Sequence, residues 1–187
     1  LIKDLLLSKN FKIKDLDYVK LDYRNKNDLL NKVELKKDKS NFSIKGKSFD
    51  ATQFINNIMD DDESPTIFEK FNSKFDIKID TIYINKNDYT KNLFGNFAFK
   101  ESKLDKLNLE STFSNNKRMN LSIETNNQKE TITKFFSSYP KPLIKRYDFI
   151  KGFEEGYLNL NSIKKDGISN SVLVIDNFKV KEVPVFA

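Results

Sequence analysis

The chain has 187 residues, of which 38% are hydrophobic, 13% aromatic and 32% charged, with 17 Phe and no Trp. This apolar content supports a folded core and excludes a disordered tail. The chain contains no His and no Cys, which excludes Cys/His nucleophiles, disulfides and zinc sites with the usual ligands. The net charge of +6 comes from 33 basic and 27 acidic residues. The basic residues are mostly scattered lysines, so we do not expect a nucleic-acid partner.

Residues 1–49 are predicted to form an antiparallel meander. Apolar and polar residues alternate there with a period of two, which is typical of strands that bury one face. Polar stretches at 24–28 and 36–40 separate the strands as turns. The alternating apolar residues are Phe11, Ile13, Val19, Leu21, Tyr23, Val33, Leu35, Phe42 and Ile44.

Residues 50–72 are predicted to form a helical insertion. Asp50 is a suitable N-cap for a helix over 51–59, and Pro65 suits the first turn of a second, short helix over 65–71. The acidic cluster at 60–63 lacks the glycine and the spaced oxygen ligands of a calcium loop. We therefore interpret the cluster as a loop and predict no metal site.

Residues 73–127 are predicted to form a second meander. Phe75, Ile77 and Ile79 share one parity and Ile82 and Ile84 the other, which indicates a bulge near 80–81. Each following strand has one polar and one strongly apolar face, and the few predicted helices are too short to cover the apolar one. This pattern allows an open apolar face as well as a covered one. The residues on it after the bulge are Leu93, Gly95, Phe97, Phe99, Leu107, Leu109, Phe113, Met119, Leu121 and Ile123.

Residues 128–187 are predicted to form a short helix around 143–147 and a C-terminal hairpin. Leu158 and Leu160 alternate in its first strand, and 164–167 form its turn. The second strand has apolar residues of both parities, so it is either buried on both faces or bulged near Asp176 and Asn177. A helix is predicted to begin after Pro184. The predicted fold class is mainly β, an extended antiparallel twisted sheet or open β-groove with two to four short helices packed on it.

The order of these features resembles the AsmA-like family of bacterial envelope proteins. In that family, a strand with Gly-x-Leu-x-Leu precedes a polar turn and a strand that ends in proline. The segment Phe75–Asp80 and the approach to the helix at Asp50 also resemble the family. The departure is Asn177, which stands where the family strand has an acid, and the acid of this chain, Asp176, stands one place earlier. The matching residues are Gly156, Leu158, Leu160, Ile175, Phe178, Val180 and Pro184, and upstream Ile44, Gly46, Ser48 and Asp50.

The resemblance implies that residues 1–187 are one segment of a larger periplasmic region, cut at both ends and flanked by repeats of the same protein. It implies an anchor in the inner membrane outside this chain, no enzymatic activity and no cofactor. It also implies an apolar β-groove for phospholipid transport between inner and outer membranes, or for outer-membrane assembly. The residues expected to contact acyl chains are Phe75, Ile77, Phe97, Phe99, Leu107, Leu109, Leu121 and Ile123.

Two alternatives remain open from the sequence. The first is a structural or protein-interaction β module of the envelope, whose apolar face is a closed core. The second is a carboxylate-based hydrolase that uses Glu154 with Glu155, or the acidic cluster at 60–63. We disfavour the hydrolase because adjacent acids on a strand point to opposite faces and do not converge on one substrate.

Overall fold

The computed structural model describes residues 1–53, 72–147 and 153–181, and 67% of the chain is strand. Eleven strands form one twisted open sheet, and two small two-stranded sheets accompany it. The predicted mainly β class is therefore confirmed. The strands are β1 (Ile2–Lys3), β2 (Leu6–Leu7), β3 (Ile13–Asp15), β4 (Tyr18–Arg24), β5 (Leu30–Asp38), β6 (Asn41–Asp50), β7 (Ser73–Tyr83), β8 (Tyr89–Lys100), β9 (Lys103–Phe113), β10 (Arg118–Thr125), β11 (Thr131–Ser137), β12 (Phe153–Glu154), β13 (Tyr157–Lys165), β14 (Ile168–Asp176) and β15 (Lys179–Val180).

The strand order in the large sheet is β1-β4-β5-β6-β7-β8-β9-β10-β11-β13-β14. Neighbouring strands are antiparallel at every position except one, because β6 and β7 run parallel. The sheet is therefore antiparallel with one parallel junction, where the two predicted meanders meet. Parallel neighbours need a long connection in the sequence, and residues 51–72 separate β6 from β7.

The one complete helix among the described residues is α1 (Lys141–Tyr147), which agrees with the short helix predicted there. Asp50 accepts a hydrogen bond through Oδ1 from the N–H of Thr52 at 3.0 Å, as expected of the predicted N-cap. The rest of the two helices predicted over 51–59 and 65–71, the acidic cluster at 60–63 and the helix after Pro184 lie outside the described residues. Within those residues, no helix has the length and apolarity to span a bilayer.

The N-terminal strand predicted around Phe11 and Ile13 is shorter than expected. Phe11 lies in the turn between β2 and β3, with a φ of 58° and an 85% exposed side chain. Ser8 organises this turn, because its Oγ accepts hydrogen bonds from the N–H groups of Asn10 and Lys12. Hydroxyl side chains compete in this way with strand pairing, so β3 begins only at Ile13.

The parity shift predicted near residues 80–81 is present. Ile79 is 2% exposed and Ile82 is 5% exposed, although side chains three apart in a regular strand lie on opposite faces. Registers shift between β5 and β6 and again between β8 and β9, but not between β6, β7 and β8. Three adjacent strands therefore each carry one extra residue, and the apolar face continues across the irregularity.

The C-terminal hairpin differs from both predicted forms. The register from Tyr157 opposite Asp176 to Lys165 opposite Ile168 is unbroken, so β14 contains no bulge. Nor is β14 buried on both faces, because all its residues except Ile175 are exposed. The reason is its place at the edge of the sheet, where among the described residues only β13 pairs with it.

The core lies on one face of the sheet, in three clusters. Phe42 stacks on Phe75 at 4.8 Å between ring centroids and Phe75 on Phe97 at 4.5 Å, and Leu16 packs with them. A second cluster combines strand residues such as Ile79 with Ala51. In the third cluster Ile144 of α1 packs with Phe153 and Leu158. Burial of this kind contributes about 1.5–3 kcal/mol per large side chain.

Candidate functional site

The strand registers align one residue from each of the eleven strands into a single row, here called the central row. Directly paired residues in neighbouring strands point to the same face, so the row crosses the entire sheet. At about 4.8 Å per strand it is about 48 Å long. Every member is apolar, with Gly95 as the one residue without a side chain. The members, in sheet order, are Ile2, Val19, Leu35, Ile44, Ile77, Gly95, Leu109, Leu121, Phe135, Leu160 and Leu173.

No member of the central row is fully buried. Ile2 and Leu173, at its two ends, are 55% and 45% exposed, and the nine residues between them are half-buried. The rows on either side are more deeply covered. The first flanking row contains Phe42, Phe75, Phe97, Leu107 and Ile123, and all of these except the half-buried Phe97 are buried. The second flanking row contains Val33, Gly46, Ile79 and Leu93, and all of these except the half-buried Gly46 are buried.

Segments outside the long strands cover the flanking rows. Leu16, from the loop between β3 and β4, packs with Phe42 and Phe75 of the first flanking row. Ala51, which follows β6, packs in one cluster with Val33, Ile79 and Leu93 of the second flanking row. Within residues 1–53, 72–147 and 153–181, the long strands contact their neighbours in the sheet, and the sheet does not close on itself. Between its exposed ends the central row is therefore a half-buried apolar strip, and the rows beside it are more deeply buried in the middle strands.

The eight residues predicted to contact acyl chains all lie on this apolar face. Three of them, Ile77, Leu109 and Leu121, belong to the central row and are half-buried. The other five are Phe75, Phe97, Leu107 and Ile123 of the first flanking row, and Phe99, which is half-buried and contacts Phe75 and Phe97 edge to face. The structure thus places the eight residues on one face, but they differ in solvent exposure. Phe75, Leu107 and Ile123 are buried, at 4%, 2% and 8% exposed, and the other five are half-buried.

The prediction missed the members of the central row outside residues 75–123. Some of them, such as Val19, Leu35 and Leu160, stand in strands whose alternation is evident in the sequence. The missing information was the register, since alternation within one strand does not say which residue of the next strand lies beside it. Phe135 and Leu173 carried the weakest signal because their strands contain apolar residues of both parities.

The opposite face of the sheet is polar and carries ion pairs between neighbouring strands. Lys20 lies 3.3 Å from Glu34, Lys32 lies 2.9 Å from Asp22, and all four side chains are well exposed. The hydrogen bond from Lys32 lowers the pKa of the Asp22 carboxyl below its ordinary value. Such exposed pairs contribute little to stability, but they keep this face compatible with water.

Two shallow depressions, of about 350 and 200 Å³, lie near the middle of β9, β10 and β11. Both are lined by Asn108, Ser122 and Lys134, and most of the other lining residues also belong to the polar face. Beside the smaller one, Lys106 lies 3.0 Å from Glu124, and that carboxylate raises the pKa of Lys106.

Glu154 and Glu155, the described carboxylates considered for a hydrolase, are engaged in ion pairs. Glu154 lies 2.7 Å from Lys181 and 3.4 Å from Lys141, and its pKa is lowered, mainly by the hydrogen bond from Lys181. A general acid at neutral pH needs the opposite shift. Glu155 lies 3.0 Å from Lys179. Among the described residues, no group of three or more Asp or Glu side chains could hold a metal ion.

Comparison of the chain with known protein families, curated proteins and solved structures found no match to any of them. The functional proposal therefore rests on the geometry of the sheet, together with the sequence resemblance described above.

Proposed function

We propose that this chain is a non-enzymatic segment of a bacterial envelope protein whose central row carries the acyl chains of phospholipids. The observation that supports the proposal is the unbroken apolar row across eleven strands, which is half-buried between two exposed ends. The resemblance to AsmA-like proteins supplies the setting: a periplasmic region tethered to the inner membrane, flanked by further repeats, that serves phospholipid transport between the two membranes or outer-membrane assembly.

The dimensions of the central row suit a hydrocarbon chain. The hydrocarbon core of a bilayer is about 30 Å thick, so one leaflet's acyl chain spans about half of that. The row, at about 48 Å, could therefore accommodate about three acyl chains end to end. Each methylene group removed from water contributes about 0.8 kcal/mol. Binding to a half-buried strip recovers only part of that energy, which favours a chain that moves along the row over one held permanently.

The charge distribution separates the two parts of a phospholipid. No charged residue interrupts the central row, so an acyl chain lying on it would meet no unpaired charge. The headgroup would remain in water on the open side of the sheet. The ion pairs of the polar face point away from the bound chain. This arrangement supports transfer of a tail without dehydrating its headgroup.

The burial of Phe75 and Leu107 favours a second candidate, a structural or interaction module of the envelope. In that case the apolar face is a packing surface, and the half-buried central row is covered by protein. Both candidates predict a stable sheet, but only the first predicts that lipid lies on the central row.

Photocrosslinking separates the two candidates. A photoreactive phenylalanine analogue at Leu109 or Ile77 would probe the central row, and the same analogue at Phe94 would be the matched control. Phe94 is 52% exposed and adjoins Gly95 in the same strand, but it lies on the polar face. After irradiation in cells, mass spectrometry should find phospholipid adducts at 109 and 77 and few at 94. Adducts with protein alone at 109, or equal lipid labelling at 94, would reject lipid carriage.

A binding measurement on the purified chain gives an independent test. The double variant Leu109→Gln with Leu121→Gln should lower co-purifying phospholipid several-fold, because it places two amides in the central row. Ile132→Gln, half-buried on the polar face, is the matched control and should bind as the wild type does. Circular dichroism would confirm that all variants are folded.

A further inference from the structure

The outer side of β14 is a bare strand edge. Its apolar residues are exposed, with Ile168 at 68%, Val172 at 61% and Val174 at 42%. From Ile168 to Ile175 the strand contains no charged residue. Among the described residues, β13 is its one partner in the sheet. A row of unpaired backbone N–H and C=O groups on an apolar strand is a template for another strand.

The turn geometry determines which groups point outward. Asp166 and Gly167 form a two-residue turn with φ values of 49° and 80°, as in a type I′ hairpin, so Lys165 and Ile168 form the first hydrogen-bonded pair. Hydrogen-bonded and non-hydrogen-bonded pairs alternate from there. The residues of β14 whose N–H and C=O groups point to the free edge are therefore Ser169, Ser171, Leu173 and Ile175.

The opposite edge of the sheet is protected where β14 is not. β4 carries Lys20, Asp22 and Arg24 on alternate positions, and β1 covers the end of β4 at Tyr18 and Val19. Charged side chains and short covering strands are the usual means of preventing edge association. The asymmetry between the two edges indicates that β14 is suited to pair and β4 is not.

We propose that β14 pairs antiparallel with β14 of a second copy of this chain, about a two-fold axis at Val172. In this register Ser169 lies opposite Ile175 of the second copy and Ser171 opposite its Leu173. All four outward-pointing residues of each copy are then hydrogen-bonded. Moving the axis to Ser171 or Leu173 leaves one of the four without a partner. The register at Val172 therefore satisfies the most backbone groups.

The side chains are compatible with the same register. Val172 meets its own copy, and Asn170 lies beside Val174 of the second copy, so no like charges face each other. At each end, Asp176 of one copy lies opposite Ile168 of the other. Lys165 is paired with that Ile168 on the same face, so opposite charges stand on either side of Ile168. This charge arrangement favours a second copy over an acidic or basic partner.

Single cysteines test the register directly, because the natural chain has none. Val172 would be a non-hydrogen-bonded pair across the axis, with Cα atoms about 4.5 Å apart, which allows a disulfide. Val172→Cys should therefore give a disulfide-linked dimer under mild oxidation. Ser169→Cys is the matched control, since the two sulfurs would be about 20 Å apart in the proposed register. Tyr23→Cys, at the 49% exposed site on the opposite edge, should also remain monomeric.

Sedimentation equilibrium without lipid tests the association itself, independently of lipid carriage. The mass should rise from one chain toward two with concentration. Leu173→Pro removes one outward N–H without disturbing the pairing with β13, and Val172→Lys places two lysines in contact. Each should weaken the dimer at least about tenfold, whereas Tyr23→Lys should not. A single-chain mass at all concentrations, or a dimer unaffected by Leu173→Pro and Val172→Lys, would overturn the proposal. So would a monomer with slow hydrogen exchange at Ser171 and Leu173, because another segment would then cover the edge.

Discussion

The middle of the sheet and its C-terminal hairpin both have strands rich in apolar residues, but they bury these residues to different depths. In the middle, Phe75 is 4% exposed and lies between the rings of Phe42 and Phe97. In the hairpin, Leu173 and Val172 are 45% and 61% exposed. Strands β7 and β8 have neighbours on both sides and segments such as Leu16 over them, whereas β14 has one neighbour within residues 1–53, 72–147 and 153–181. Alternation therefore identifies the face of a side chain, but the depth of burial depends on what lies beside and above it.

The largest effect should come from truncating a side chain in the middle of the sheet. Phe75→Ala should lower the free energy of unfolding by about 3–5 kcal/mol, because it removes a buried ring and leaves a cavity. Val172→Ala, in the hairpin, should change it by less than about 0.5 kcal/mol. Urea unfolding followed by circular dichroism would measure both. Equal losses would mean that the hairpin is as deeply packed as the middle.

Two glycines extend the comparison to the backbone. Gly95 lies in the middle with a φ of 153°, and a Cβ there would stand 1.9 Å from the carbonyl oxygen of Asn108. Gly95→Ala should therefore cost at least about 2 kcal/mol. Gly167, in the hairpin turn, has a φ of 80° and open space around it, so Gly167→Ala should cost only about 1 kcal/mol. Thermal unfolding of the two variants would measure both losses of stability. A larger loss for Gly167→Ala than for Gly95→Ala would contradict the prediction.

Removal of a buried hydroxyl should raise the free energy of unfolding, whereas the substitutions above lower it. Thr90 is 0% exposed, and its Oγ1 has no hydrogen-bond partner among the described residues. Thr90→Val should raise the free energy of unfolding by about 1 kcal/mol, because the unsatisfied group is removed at constant shape. In the hairpin, the exposed Ser171 donates to Ser162 at 2.8 Å, and Ser171→Ala should be nearly neutral. Destabilisation by Thr90→Val would show that the hydroxyl has a partner after all.

The smallest effect concerns the ion pair that links the hairpin to the preceding turn. The pKa of Glu130 is lowered from its ordinary 4.5, first by the hydrogen bond from Asn126 and then by that from Lys165. A lowered carboxyl pKa stabilises the fold above the unfolded value, and this contribution is lost as pH falls through the folded value. The free energy of unfolding should thus decrease as the pH falls below 4.5, and this decrease should be smaller in the Glu130→Gln variant than in the wild type.

An NMR titration of the Glu130 carboxyl would separate the two causes. Asn126→Ala should move the midpoint toward 4.5 by more than Lys165→Met does, since the bond from Asn126 is the larger cause. If Lys165→Met had the larger effect, the ion pair to the hairpin would be the dominant interaction.

The sequence predicted the fold class and the membership of the apolar face well. Phe75, Ile77, Leu107 and Leu109 were placed on one face because the period of a strand is a local property. The parity shift at Asp80 was detected for the same reason. The parallel pairing of β6 with β7, the eleven-residue central row and the exposure of β14 were not predicted. Each depends on which strands become neighbours and in which register, and no pattern within a single strand encodes that. The AsmA-like resemblance stays a prediction.

The one parallel pair in the sheet has a consequence for the order of folding. Phe42 of β6 pairs with Phe75 of β7, 33 residues later, whereas neighbours such as Lys165 and Ile168 are joined by a two-residue turn. Closing a long loop costs conformational entropy before the stabilising contacts can form, so strand pairs far apart in the sequence form slowly. We expect β4 to β6 and β7 to β14 to assemble as two separate hairpin arrays. The Phe42–Phe75 stack would then form at the joining of the two arrays, and mutations there should slow folding more than mutations at the hairpin turns do.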